Sequence, residues 1–204
     1  PIMKFEDVDS YLAARGGRLV RWNGDFYSYQ AGVYRAVDME AVRADVYLRS
    51  NADTKSKVDR FIDALKARVF VDRTTLAPPC WLEPVELDPT NLIVLRNGLL
   101  DMATGQFYLH DERFFSLTAL PFNYDPNATA PNWERFLEGI WPDEPDCIET
   151  LQLILGYLIS PRTDLQVIPV LVGPPRSGKG TIGRVLVDLI GDGNWAAPTL
   201  DSFG

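Results

Sequence analysis

The stretch Val167-Ile168-Pro169-Val170-Leu171-Val172 runs directly into Gly173-Pro174-Pro175-Arg176-Ser177-Gly178-Lys179-Gly180-Thr181. The first part is apolar and has the length of a strand, and the second has the spacing Gly-x-x-x-x-Gly-Lys. Apolar residues then recur at helical spacing, and Gly191 is placed to end that helix (Ile182, Val185, Leu186, Leu189, Ile190). A strand, this loop and a helix in this order are the context that a phosphate-binding P-loop requires.

The residue types of the loop suit the phosphates of a nucleotide. Gly173 and Gly178 let the backbone turn where a side chain would meet a phosphate. The loop N–H groups and the positive end of the following helix then face the anion together. Lys179 is the predicted catalytic-site residue, because its ammonium would lie near the β- and γ-phosphates. We therefore predict that the whole loop, Gly173–Thr181, binds the phosphates of a nucleotide.

The position immediately after the lysine departs from the usual motif, which has Ser or Thr there to hold Mg²⁺. Here that position is Gly180, and the hydroxyl comes one place later, on Thr181, which is the predicted magnesium ligand. Gly-Lys-Gly-Thr resembles the loop of adenylate kinases, so the variant is compatible with nucleotide binding. A Gly/Pro turn with a chance lysine is the alternative interpretation, and the flanking strand and helix patterns disfavour it.

Composition indicates one ordinary globular domain or two small ones. The chain has 204 residues, of which 46% are hydrophobic and 24% charged. No apolar stretch reaches the length of a membrane span and no leader pattern is present, so we expect a cytoplasmic protein without a membrane partner. The first residue is Pro1 rather than Met, which favours a processed or cut start. Cys80 and Cys147 are too few for a disulfide framework or a zinc site, and the single His110 is expected to be structural.

Residues 1–75 are predicted to form a small α+β module. A helix is expected over 4–14, an Asn23-Gly24 turn joins two strand runs, and further helices follow over 38–50 and 54–70. A winged-helix-like arrangement fits this content. The strand runs carry aromatic residues that could stack on bases, although such residues more often build the core of a small sheet (Trp22, Phe26, Tyr27, Tyr29, Tyr34).

The net charge of −8 is distributed unevenly. The first 75 residues carry 13 Lys and Arg against 11 Asp and Glu, whereas the remainder carries 7 against 17. Any electrostatic contact with DNA is therefore predicted in the N-terminal part. The basic residues of the helix over 54–70 are the candidates, with a solvated helix face as the alternative (Lys55, Lys57, Arg60, Lys66, Arg68).

The rest of the chain before the loop divides into two parts. Residues 76–128 are predicted to form a proline-rich crossing and a β-meander, with Phe114 to Leu120 as a possible further strand. Residues 129–163 are predicted to form a helical bundle, with helices over 131–140 and from Asp143 to Pro161. Residues 164–204 would then begin a P-loop domain, which makes the expected fold class α/β and α+β.

Several short pieces occur in an order that resembles a known family: Asn97-Gly98-Leu99-Leu100-Asp101, Thr104-Gly105, Leu120-Pro121, Tyr124-Asp125, Pro131-Asn132-Trp133, Phe136-Leu137, Gly156-Tyr157 and the P-loop. In this order they look like the phage and plasmid primase–helicases, whose motor belongs to helicase superfamily 3, a branch of the AAA+ ATPases. The resemblance covers residues from about 90 to 204 well and residues 1–75 only loosely.

The resemblance implies the N-terminal part of a replicative DNA helicase, encoded by a phage or plasmid and acting in the cytoplasm of a bacterial host. Such an enzyme is an ATP-driven ring, a hexamer, that moves 3′ to 5′ on single-stranded or forked DNA. The helices over 131–160 would be the bundle preceding the motor. Lys179 and Thr181 carry over as nucleotide contacts, and Ser177 stands where the family frequently has Asn.

A further departure from the family pattern leads to competing hypotheses. A P-loop ATPase also needs a second apolar strand that ends in an acidic residue to hold Mg²⁺, and a residue that orients the attacking water. A ring ATPase of this kind also takes an arginine from the neighbouring subunit. None has a candidate position before Gly204, so we expect no ATP turnover by this chain. The alternative is a non-enzymatic DNA-binding or assembly module that keeps a vestigial P-loop. A small nucleotide kinase, suggested by Gly-Lys-Gly-Thr, is disfavoured because such enzymes carry the loop near their N-terminus.

Overall fold

The computed structural model describes residues 5–197. The predicted start of the first helix at Lys4 and the predicted motor segment over 198–204 lie outside these residues. The helices are α1 Phe5–Arg15, α2 Met39–Arg49, α3 Lys55–Arg68, α4 Pro131–Ile140, α5 Pro145–Ile159 and α6 Lys179–Ile190. The strands are β1 Leu19–Trp22, β2 Asp25–Gln30, β3 Val33–Val37, β4 Cys80–Trp81, β5 Leu92–Leu95, β6 Gly98–Asp101, β7 Phe107–Tyr108 and β8 Phe114–Phe115.

All described strand pairs of the three small sheets are antiparallel, which confirms the α+β part of the expected fold class. The sheets have the orders β1-β2-β3, β4-β8 and β5-β6-β7. Within the described residues, no helix is both long enough and apolar enough to span a bilayer. The chain forms two compact units. The first holds the described residues up to Glu86 and His110–Leu117, and the second holds Leu87–Leu109 and the described residues from Thr118 onward.

The sheet β1–β3 is the centre of the first unit, and its alternating side chains bury both of its faces. Leu19 and Phe26 pack on one side in a cluster with residues of α1, α2 and α3. Val20 and Tyr34 pack on the other side with Cys80 and Phe115. The predicted helices and hairpin of this module are therefore confirmed. Its aromatic residues build the core of the sheet, which is the more common of the two roles expected of them.

Both edges of this sheet are covered by backbone hydrogen bonds. At the β1 edge, the amide of Arg21 donates to the carbonyl of Val69 at 2.7 Å and the amide of Val71 donates to the carbonyl of Arg21 at 2.9 Å. At the β3 edge, the amide of Tyr34 donates to the carbonyl of Ser116 at 2.8 Å. These contacts close the sheet. They pair backbone groups that an exposed edge would leave free to bind another chain and aggregate.

A polar network joins α1 to α2. The hydroxyl of Tyr11 donates to Asp45 at 2.7 Å, and the guanidinium groups of Arg49 and Arg15 lie 2.6 Å and 3.4 Å from the same carboxylate. Burial alone would raise the pKa of Asp45, but the hydrogen bonds from Tyr11 and Arg49 outweigh it and the pKa lies below its ordinary value. The pKa of Tyr11 is raised, chiefly by burial and secondly by its hydrogen bond to Asp45.

The second unit contains the predicted meander and bundle. Strands β5, β6 and β7 form the meander, whereas the further strand expected near Phe114 pairs with β4 in the first unit instead. Helices α4, α5 and α6 share an apolar core of Leu137, Leu151, Leu155 and Ile182. The helix predicted after the glycine loop is thus confirmed, and it packs on the bundle.

The strand predicted over Val167–Val172 does not form. None of these residues pairs with a strand of the described chain, and Ile168 and Val172 are about nine-tenths exposed, at 89% and 90%. A strand of this type requires neighbours for its backbone N–H and C=O groups and cover for its apolar side chains. Residues 5–197 supply neither to this run.

Candidate nucleotide-binding site

The glycine loop gains its shape from the start of α6 and from α4. Gly178 is the N-cap of α6 in the left-handed region, with φ 86°, and no side chain caps the helix. A Cβ at Gly178 would lie 2.6 Å from Ile140 Cδ1 and 3.1 Å from Phe136 Cζ. Arg176, a non-glycine residue, also has a positive φ of 65°. A left-handed non-glycine residue costs conformational free energy and often marks a functional site.

The ammonium of Lys179 donates hydrogen bonds to several atoms of the loop. It donates to the carbonyls of Gly173 and Pro174, both at 2.8 Å, and lies 3.2 Å from Ser177 Oγ. The loop therefore curls around the cation, and the predicted catalytic-site residue lies at the centre of the predicted nucleotide-binding residues. The N–H groups of Thr181 and Ile182 donate to the carbonyl of Gly178 at 2.9 and 3.1 Å. The N–H groups of Lys179 and Gly180 have no backbone acceptor and no side-chain cap among the described residues, which suits a bound anion.

Thr181 is the third residue of α6, and its hydroxyl accepts a hydrogen bond from Arg184 Nη2 at 3.1 Å. A side chain at Gly180 would meet nothing closer than Arg184 Nη1 at 4.0 Å. Among the described residues, no group of three or more His, Cys, Asp or Glu side chains could hold a metal ion. Magnesium would therefore depend on Thr181, the phosphates and water, and the residues present fit the phosphates better than the metal.

An open cleft of about 780 Å³ lies between the loop and α4. The side lined by the loop and α6 includes Arg176 and Arg184, and the side lined by α4 includes Arg135 and Gly139. The sequence reasoning missed Arg135, Gly139 and Arg184 as site residues. Arg184 lies one turn beyond Thr181 and the helical spacing could have revealed it, but no spacing connects α4 to the loop.

The basic residues of α3, predicted to contact DNA, lie in the first unit. Three of them make ion pairs within the chain: Lys57 with Asp53 at 2.6 Å, Lys66 with Asp63 at 3.2 Å and Arg68 with Asp9 at 2.7 Å. Lys55 and Arg60 make no ion pair with a carboxylate of residues 5–197. Exposed pairs of this kind contribute only about 0–1 kcal/mol, so a phosphate backbone can replace them.

Two motif residues of the meander have structural partners. The side chain of Asn97 donates to the carbonyl of Tyr124 at 3.0 Å and accepts from the amide of Tyr124 at 2.8 Å. Asp101, buried at 7% exposure, accepts from the amide of Ala103 and from the hydroxyl of Thr104. These residues fix the turns of the meander rather than form a site.

Comparison with known families gives a match over residues 10–142 to a family described as D5 N terminal like. The match covers well over half of the 204 residues. It includes most of the first unit, the meander and α4, and it ends before the loop Gly173–Thr181. The geometry of the loop is therefore an observation independent of the family match.

Proposed function

This chain belongs to the D5 N terminal like family of phage and plasmid primase–helicase proteins, and from that premise we propose that it binds ATP through Gly173–Thr181 as part of a replicative DNA helicase. The observation that carries this proposal is the loop curled around the ammonium of Lys179 at the start of α6. Bound ATP would supply the chemical energy, with Mg²⁺ neutralising its phosphate charge. The residues of this chain bind and orient the phosphates.

In this proposal each part of the loop has one task. The N–H groups of Lys179 and Gly180 at the start of α6 donate to the phosphate oxygens, and Gly178 keeps that approach clear of a side chain. Lys179 exchanges its bonds to the carbonyls of Gly173 and Pro174 for bonds to phosphate, which are stronger because both partners are charged. Thr181 contacts the phosphates or the metal through its hydroxyl.

The proposal also includes a partner and an assembly. Single-stranded or forked DNA would run along the basic face of α3, with Lys55 and Arg60 as its first contacts because they hold no ion pair within residues 5–197. A hexameric ring and superfamily 3 helicase activity follow from the family resemblance of the whole protein. A non-enzymatic assembly module with a vestigial loop is the second candidate, because the match ends before the loop.

Equilibrium titration of the chain with a fluorescent N-methylanthraniloyl ATP in the presence of Mg²⁺ tests nucleotide binding. We expect saturable binding that Lys179→Ala weakens at least tenfold, since a charge-assisted hydrogen bond contributes about 1.5–3 kcal/mol. Arg162→Ala is the matched control, because Arg162 is an exposed cation of the same unit that pairs with Asp164 at 2.7 Å. Equal affinities of wild type and Lys179→Ala would favour the vestigial loop.

A second variant examines the magnesium position. Gly180→Ser places a hydroxyl immediately after the lysine, where a side chain has open space. We expect the affinity for the ATP analogue to become more dependent on Mg²⁺ in Gly180→Ser than in wild type, as measured with and without a chelator. An unchanged dependence would mean that this position does not approach the metal.

A further inference from the structure

The cations of the acidic part of the chain are concentrated at the cleft beside the loop. Residues 76–204 contain 7 Lys and Arg against 17 Asp and Glu. Three of those seven, Arg135, Arg176 and Arg184, line the cleft, and Lys179 lies in the adjoining loop. Within the part of the chain that the structure describes, no Asp or Glu lines it. Glu134 and Glu138 adjoin Arg135 on α4 but do not line the cleft, so the cations that line it act on an anion there at shorter range.

Within residues 5–197, none of the three arginines of the cleft makes an ion pair with a carboxylate. Arg135 Nη1 lies 3.4 Å from the amide oxygen of Asn132, a long contact with a neutral group, and Arg184 donates to the hydroxyl of Thr181. By contrast, Arg162 in the same unit donates twice to Asp164, at 2.9 and 2.7 Å. A guanidinium that has only neutral partners is available for bidentate recognition of phosphate.

The α4 side of the cleft also has room for a ligand. Gly139 lies in the last turns of α4, where glycine is unfavourable for a helix, and a Cβ built there meets nothing within 4 Å. The cleft volume of about 780 Å³ is within the range of about 300–1,000 Å³ that small-molecule sites occupy. An anion with an organic part, rather than a free phosphate, fits this combination of charge and space.

We propose that α4 forms the second wall of the nucleotide site, with Arg135 contacting the phosphate chain of a nucleoside triphosphate and Gly139 leaving space for the rest of the ligand. This inference rests on the proposed nucleotide binding by the loop and adds a residue to it that lies about 40 positions earlier in the chain. Ile140 and Phe136 approach Gly178 so closely that a Cβ there would lie 2.6 and 3.1 Å from them, which places α4 directly beside the loop.

The test measures affinity for the fluorescent ATP analogue and its displacement by inorganic tripolyphosphate, using the full chain. We expect Arg135→Ala to weaken both about tenfold, with Arg135→Lys intermediate because the charge remains and the fork is lost. Arg162→Ala is the control for loss of one positive charge and should change neither more than about twofold.

The outcomes separate the inference from the proposed function. If Lys179→Ala weakens binding of the ATP analogue and Arg135→Ala binds it as tightly as Arg162→Ala does, the loop binds nucleotide and the proposed role of α4 is overturned. If Lys179→Ala binds the ATP analogue as tightly as wild type does, the proposed function itself fails. If Arg135→Ala weakens the analogue but not tripolyphosphate, the phosphate contact of Arg135 is wrong.

A variant without a change of charge tests the space beside α4. Gly139→Leu fills the cleft and raises helix propensity, so we expect normal circular dichroism with binding weakened at least tenfold. Gly156→Leu is the matched control, because Gly156 is an exposed glycine of α5 that has equally open space and does not line the cleft. Equal binding by the two variants would overturn the proposal that the ligand borders α4.

Discussion

The sheet β1–β3 and the run Val167–Val172 both have the apolar pattern of strands, but of these two described regions only the first is paired in a sheet. Strands β1–β3 pair with each other, and Val69, Val71 and Ser116 cover their outer edges with backbone hydrogen bonds. The run Val167–Val172 has no paired neighbour in residues 5–197 and exposes most of its side chains. The comparison teaches that strand propensity becomes strand structure only where the chain also supplies partners for both edges and both faces.

The largest expected effect is in the closed sheet. Phe115 is 0% exposed and its ring lies 5.0 Å from that of Tyr34 and 5.9 Å from that of Trp22, between centroids. Phe115→Ala should lower the free energy of unfolding by about 3–5 kcal/mol, because it leaves a cavity in the core. Urea unfolding followed by circular dichroism measures this. Phe70→Ala, at a 58% exposed position, is the control, and an equal loss in both variants would contradict a closed core.

A smaller effect is expected where α4 supports the glycine loop. Gly178→Ala requires a left-handed alanine and moves Ile140, so we expect a loss of about 2 kcal/mol in the stability of the second unit. Its neighbour Gly180 has open space, and Gly180→Ala should be neutral or stabilise α6 by about 0.5 kcal/mol. Urea midpoints of the two variants compare them, and equal midpoints would mean that α4 does not fix the loop.

The polar network of the first unit should contribute less than its core. Asp45→Asn removes the acceptor of Tyr11 and Arg49, and we expect a loss of about 1–2 kcal/mol at pH 7. The pKa of Asp45 is lowered in the folded state, so its contribution is complete above its unfolded pKa of about 3.9 and is lost as the pH falls through the folded value. The difference between wild type and variant should therefore shrink below about pH 4.

The control for this network is Asp63→Asn, which breaks a pair with Lys66 at a carboxylate that is 75% exposed. Unfolding measured from pH 7 to pH 2 should show almost no difference from wild type for this variant. A constant difference for Asp45→Asn across the same range would show that the network acts through packing alone.

The smallest effect is expected in the unpaired run. Ile168→Thr and Val172→Thr keep a β-branched side chain at positions that are 89% and 90% exposed, so stability should change by less than about 0.5 kcal/mol. A loss above about 1 kcal/mol in urea unfolding would mean that the run is packed in solution, which would remove the contrast with β1–β3. Light scattering of the same variants reports any self-association through this apolar surface.

Local sequence signals predicted much of this fold. The Asn23-Gly24 turn, the stripe of α3 and the proline at the start of α4 depend on residues close together in the chain, and the structure has each element within a few residues of its predicted bounds. Pairing over longer separations was not predictable. Phe114 and Phe115 have the pattern of a strand, but nothing local indicates that they pair with Cys80 and Trp81 rather than with the meander.

In the candidate site, too, the local features were predictable and the long-range contacts were not. The spacing of Gly173, Gly178 and Lys179 indicated the loop, because its function depends on neighbouring residues. Arg135 escaped prediction because its place at the cleft depends on how α4 packs against Gly178, which involves Phe136 and Ile140. Helix packing contacts of this kind leave no fixed spacing in a single sequence.

The helix α6 is clamped at both ends. Its first turn abuts α4 through Gly178, and its last turn ends at Gly191, where a Cβ would lie 2.8 Å from Pro121, with Asn194 donating to the carbonyl of Ala119 at 3.1 Å. The 12 residues of α6 make a helix about 18 Å long, which joins the glycine loop to the segment around Pro121. We therefore expect ligand binding at the loop to change the hydrogen exchange of Leu120, whose amide donates to the carbonyl of Val94 at 2.8 Å.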